Sequence, residues 1–171
     1  AINILVRLID HDSSFASLIP EVAAPIFLLT KEVSNIDSKL TIFDFFEYSI
    51  VGQEIYSSNL IGNFPQYYDI IWEVCGAAYT SCKDDSSETN TLKNSIVSIL
   101  VKLIQVNGIN YNYIQLLFNI LVEGIRSDDD YEEVLLDVFG KTPLKYLGKL
   151  ASPGKITHKA RIKLLAPRLH P

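Results

Sequence analysis

TLKNSIVSILVKLIQVN, residues 91–107, decides the fold class. Its apolar residues Ile96, Ile99, Leu100, Leu103 and Ile104 recur at the i, i+3, i+4, i+7 spacing that gathers side chains on one stripe of an α-helix. Val97 and Val101 widen that stripe. A helix with a wide apolar stripe is packed on two sides by neighbours. The same rhythm holds on either side of this stretch. Ile71, Val74, Cys75 and Ala78 follow it upstream, and Ile114, Leu117, Phe118, Leu121 and Val122 follow it downstream.

The punctuation agrees with helices. Asp37 and Ser38 precede one start, and KDDSSETN at 83–90 ends in capping residues ahead of Thr91. Gly108 follows one apolar run and Asn110 opens the next. Gly140 closes another, and Thr142–Pro143 sets a cap residue before a first-turn proline. The expected helices span 1–9, 18–33, 38–50, 65–82, 91–106, 111–125, 129–139, 143–151 and 156–169. Ile26–Leu29 and Thr41–Phe46 carry β-branched or aromatic residues and are the rival strand segments. Neither alternates strictly, and no Asn-Gly turn joins two alternating runs, so an all-α chain is expected.

The chain has 171 residues, enough for a sizeable core in one domain over 1–171. An apolar share of 48% excludes a disordered or linker-like chain. No apolar run reaches the roughly 18 residues of a membrane span. Two cysteines and no N-x-S/T acceptor fit a reducing setting, cytoplasmic or also nuclear. The chain has no methionine and opens on AINILVRLI at helical spacing without a cap, so a fragment of a longer protein is expected.

No reaction is written in the motifs. His11, His158 and His170 are far apart, with no H-E-x-x-H or C-x-x-C, so neither a metal nor another cofactor is expected. Gly140-Lys141-Thr142 has the ending of a phosphate loop, but Leu135 stands where its first glycine belongs. Cys75 and Cys82 are seven residues apart on one expected helix. That is about 10.5 Å of rise, too far for a disulfide. Asp128–Asp130 with Glu132 and Glu133 reads as a helix start capped by Ser127 rather than as a calcium loop. Phe64, Tyr67, Tyr68 and Trp72 read mostly as core, with one or two tyrosines left to anchor a partner. With no nucleophile–base constellation readable, the expectation is a binding protein and not an enzyme.

Three segments share a texture: SKLTIFDFFEY at 38–48, TLKNSIVSILVKL at 91–103 and HKARIKLLAPRL at 158–169. Each places a basic residue, Lys39, Lys93 or Lys159, ahead of dense apolar positions. Helix pairs with polar loops and a short proline-led helix resemble armadillo/HEAT repeats. TPLKYLGKLASPGKITHKARIKLLAPRL at 142–169 is similar to one HEAT-like unit, with Arg161 near the start of its second helix. The resemblance implies an α-solenoid of stacked helix pairs. The order of the C-terminal helices is also similar to the armadillo/HEAT-like chaperones of the proteasome regulatory base, the non-ATPase subunit 5 family. The residues that carry this are Asn63-Phe64-Pro65, TLKNSIVSILVKL, and Pro143-Leu144 before Ser152. It implies binding to the C-terminal domain of a proteasomal ATPase subunit.

Charge supplies the candidate contacts. Residues 141–171 carry +8 with no Asp or Glu, against −13 for the rest. Lys145 and Lys149, like Lys159 and Lys163, are i, i+4 pairs on one helix face. The basic end has three readings: docking an acidic protein, contacting nucleic-acid phosphates, or a solvated face. The first makes Lys145, Lys149, Lys159, Arg161 and Lys163, with Asp44 and Glu47 on an earlier helix, the expected protein-contact residues. A nucleic-acid-binding repeat module is the alternative function.

Overall fold

The computed structural model describes residues 2–48, 65–124 and 129–147. Every regular element among them is helical, including the rival strand segments, which lie inside helices. The chain forms two compact units, residues 1–108 and 109–171.

The first unit contains α1 (Ile2–His11), α2 (Ile19–Thr30), α3 (Ile36–Phe46), α4 (Pro65–Ser81) and α5 (Ser87–Asn107), with a 3-10 turn at Ser13–Leu18. Its core is the contact of α3 with α5. Ile42, Phe43, Phe45 and Phe46 are buried on α3, and Leu92, Ile96, Val97, Ile99, Leu100 and Leu103 on α5. Phe43 meets Phe46 edge-on, ring centres 6.2 Å apart. Such edge-on pairs add to the area their rings already bury. α4 packs on α5 through a face that buries Ile71, Trp72, Val74, Cys75, Ala78 and Tyr79. α2 lies against both α3 and α4, and α1 against α3. Two long-range bonds tie the helix ends. Tyr68 Oη donates to the Gly108 carbonyl at 2.9 Å, and Tyr48 Oη to Asp10 Oδ1 at 2.8 Å.

The second unit contains a 3-10 turn at Tyr111–Tyr113, then α6 (Ile114–Glu123), α7 (Asp129–Lys141) and α8 (Leu144–Leu147). α6 buries Ile114, Leu116, Leu117, Phe118, Ile120 and Leu121, and α7 buries Tyr131, Leu135, Val138 and Phe139. Phe118 meets Phe139 edge-on at 5.9 Å. Tyr111 and Tyr146 stack at 4.7 Å with ring planes 10° apart.

Helix ends differ from expectation where local hydrogen bonds decide. α5 begins at Ser87, a turn before Thr91, because Ser86 caps it by accepting from Thr89 N at 3.2 Å. Asp84 fixes that cap by accepting from both Ser86 N and Ser86 Oγ. α3 is capped by Asn35, which accepts from Ser38 N, so it starts two residues early. α6 stops at Glu123 because Gly124 turns left-handed, φ 60°, where only glycine avoids a steric penalty. α7 runs through Gly140 to Lys141 instead of closing there. The Thr142 hydroxyl donates back to Val138 O at 2.6 Å, so it finishes α7 just ahead of Pro143 and the next helix. The helix at 156–169, the Ser-Pro-Gly turn, Asn63-Phe64 and the Ser127 cap lie outside the described residues.

Replacing Ser86 with Ala leaves the Thr89 N–H without its side-chain acceptor and is expected to lower unfolding stability by about 1 kcal/mol. Phe43→Ala empties a fully buried site and is expected to cost about 3–5 kcal/mol. Urea denaturation followed by circular dichroism separates the two, and equal midpoints would contradict this ranking.

Candidate functional site

The last turn of α2 holds Thr30, Lys31 follows it, and Lys39 sits in the first turns of α3. With Val74, Ala77, Ala78 and Ser81 of α4 they line a recess of about 200 Å³. The wall exists because α4 presents small residues where a larger side chain would fill the space. Lys31 Nζ binds Glu73 Oε1 at 2.6 Å across the rim. Lys39 Nζ reaches Ser81 Oγ at 3.4 Å, a long contact, while Ser81 Oγ itself donates to Ala78 O at 2.7 Å. Thr30 is buried, and its hydroxyl donates to Ile26 O at 3.1 Å. Among the described residues, no carboxylate pairs with Lys39.

Cys82 adjoins this region, its thiol 3.3 Å from Ala78 O. Burial pushes the thiol upward, and the Lys93 and Lys39 ammoniums pull only partly against it. Cys75 is fully buried, and burial drives its thiol far above the ordinary range. Neither is a poised thiolate.

The residues expected from sequence fall in different places. Asp44 is exposed on α3, and Glu47 is half-buried one turn on. Partial burial raises the Asp44 carboxyl above the usual range, and the Glu47 charge acts in the same direction. Lys145 is exposed on α8, its Nζ 4.9 Å from the centre of the Tyr146 ring. Lys149, Lys159, Arg161 and Lys163 lie outside the described residues, as do His158 and His170. His11 is exposed at the end of α1. Lys141 pairs with Asp137 at 2.6 Å within helical backbone, not in a phosphate-cradling loop. Among the described residues, no group of three or more His, Cys, Asp or Glu side chains is placed to hold a metal. No helix among them is long and apolar enough to cross a membrane.

Sequence reasoning missed Lys31, Ser81, Leu28 and Leu29, and saw Lys39 only as the leading residue of a quasi-repeat. Lys31 and Glu73, like Lys39 and Ser81, are 42 residues apart, so no local spacing announces them. The exposed leucines had a signal, since PIFLLT offers α2 more apolar surface than one packed face requires. Compared with protein-family models, with curated proteins and with solved structures, the chain matches none.

Two measurements probe these groups. Asp44 binds its proton more tightly folded than unfolded, so its contribution to stability is fullest below the ordinary carboxylate pKa, about 3.9, and is lost as pH rises through the raised folded value. Asp44→Asn is therefore expected to melt above the wild type at neutral pH, with the gap closing as pH falls through that window. A variant that melts lower at neutral pH would refute this. In thiol labelling of the native protein, Cys82 is expected to react slowly and Cys75 only after unfolding. Rapid modification of both would contradict the burial described.

Proposed function

We propose that this chain is a protein-binding module of packed helices, serving as a scaffold, adaptor or assembly chaperone and catalysing no reaction. The observation that carries this reading is the set of exposed apolar side chains on α1, α2 and the 3-10 turn between them. Ile4 is 64% exposed, Leu8 39%, Leu18 40%, Leu28 51% and Leu29 54%. Ile4 and Leu8 are one turn apart and share a helix side. Single exposed leucines are ordinary, but a concentration on neighbouring elements is a feature of surfaces that take partners. In the second unit, Leu144 is 73% exposed beside Lys145 and the stacked pair of Tyr111 and Tyr146. Tyrosine is among the residue types enriched as interface anchors.

The armadillo/HEAT-like solenoid belongs to this proposal, with helix pairs stacking into an extended face. The likeness of the C-terminal helices to proteasome-base chaperones makes the C-terminal domain of a proteasomal ATPase the first partner to try, and would place the chain in the cytoplasm or nucleus. The basic residues Lys145, Lys149, Lys159, Arg161 and Lys163 would speed encounter with an acidic partner.

Affinity purification of the tagged chain, followed by mass spectrometry, tests this reading. A set of proteins is expected with the wild type and is expected to fall roughly tenfold with Leu28→Ser/Leu29→Ser or Ile4→Ser/Leu8→Ser, since interface anchors dominate affinity. Both variants should keep the wild-type circular dichroism. Undiminished capture by both would overturn the reading. Capture of nuclease-sensitive RNA or DNA, released steeply by salt and lost with the lysines of 141–171, would replace it with the nucleic-acid alternative.

A further inference from the structure

We infer that the recess between α2, α3 and α4 accepts the carboxylate side chain of an acidic residue in a partner protein, with an aliphatic residue beside it resting on Leu28. The inference rests on the protein-binding reading and specifies the partner's chemistry.

Size is the first argument. A volume of about 200 Å³ equals the bulk share of about six or seven waters at roughly 30 Å³ each. That falls below the roughly 300 Å³ at which drug-sized and cofactor pockets begin. The recess therefore suits one side chain rather than a cofactor.

Charge is the second argument. Lys31 and Lys39 bring two ammoniums to the lining. Glu73 offsets that of Lys31 at 2.6 Å, while among the described residues the Lys39 ammonium has only the Ser81 hydroxyl as a hydrogen-bond partner, at 3.4 Å. The recess thus carries close to one uncompensated positive charge, which matches a monoanionic carboxylate better than a dianionic phosphate. An ammonium has three N–H donors and a carboxylate about four acceptor sites, so a carboxylate held by Lys39 keeps acceptor sites free, and Lys31 keeps donors beyond the one it gives Glu73. Val74 and Ala78, both buried, supply an apolar floor for the methylenes of the incoming side chain.

The flank is the third argument. Leu28 stands at i−3 from Lys31, and the Lys31 N–H donates to its carbonyl at 3.2 Å, so the two side chains share one side of the helix end. Leu28 is about half exposed on that side of the helix end. An aliphatic residue next to an acidic one in the partner covers both features at once.

Fluorescence anisotropy with a short labelled peptide of alternating leucine and glutamate tests the proposal on the whole chain. Saturable binding is expected, weakened roughly tenfold in Lys39→Gln and in Leu28→Ser. Lys39→Arg, which keeps the charge, should retain it, and so should Lys83→Gln, at an exposed lysine outside the recess. Circular dichroism confirms that each variant is folded. Equal binding of the matching leucine–glutamine peptide, no change in Lys39→Gln, or no binding by the wild type would each overturn the proposal. Equal displacement by inorganic phosphate and by acetate at matched ionic strength would also overturn it, as an unselective anion site. If proteins co-purify with Lys39→Gln as with wild type but are lost with the leucine variants, the protein-binding reading stands and the carboxylate site falls. If the peptide binds through Lys39 yet no protein co-purifies with the wild type, the protein-binding reading falls instead.

Discussion

The seam between α3 and α5 is the constraint from which the first unit follows. α3 is only eleven residues long, yet it buries Ile42, Phe43, Phe45 and Phe46. Positions i, i+1, i+3 and i+4 cover more than a third of a helix circumference, so α3 is wedged between neighbours rather than laid on one. α5 answers with a buried set on adjoining positions, Ile96 with Val97 and Ile99 with Leu100. Each fully buried side chain of this size contributes roughly 1.5–3 kcal/mol relative to exposure. With the seam occupied by the longest helix, α4 closes one flank of α5, and α2 is left to lie on α3 and α4. α2 has a single charged residue, Glu21, in twelve. Once one side packs, its remaining apolar side chains have nowhere else to go, which is why Leu28 and Leu29 reach the surface.

Helix identity was legible in the sequence because it is set by a period, and a period survives errors in any one residue. Ile71, Val74, Cys75 and Ala78, read as a stripe, are all buried, as are Ile96, Ile99, Leu100 and Leu103. Helix ends were less legible because several residues compete for one cap. In KDDSSETN, Ser86 caps the helix rather than a residue nearer Thr91, because Asp84 holds its N–H and hydroxyl together. That choice depends on side-chain geometry and not on propensity, since serine, aspartate and asparagine cap about equally well. Thr142 shows the same ambiguity, its hydroxyl donating to the helix behind it while the helix that Pro143 suggested follows at Leu144.

The recess was illegible for a different reason. Its lining is drawn from three helices, and its small residues Ala77, Ala78 and Ser81 carry no chemical signature in a sequence. Of the residues expected to contact a partner, Asp44 and Glu47 come together, close enough for one charge to act on the other. Lys145 lies in the second unit over the ring of its neighbour Tyr146, which stacks on Tyr111, a pairing that no local spacing announces.

One part of the quasi-repeat nevertheless acquires a physical meaning. Its leading lysines, Lys39 and Lys93, are 54 residues apart in the chain, yet both act electrostatically on Cys82 at the end of α4. Lys93 is nearly buried, with its ammonium 5.4 Å from the centre of the Tyr79 ring. That contact stabilises a cation where little water reaches it. Two cations beside a thiol are the usual means of making a reactive cysteine, and here they fail because burial of Cys82 outweighs them. Cys82 therefore stays a neutral thiol and takes up none of the positive charge. Lys93 faces an aromatic ring, and its charge also acts on the Asp84 carboxylate. Lys39 lines the recess with a hydroxyl as its neighbour. An anion entering the recess would therefore meet the ammonium of Lys39, while that of Lys93 already acts on the Asp84 carboxylate within the unit.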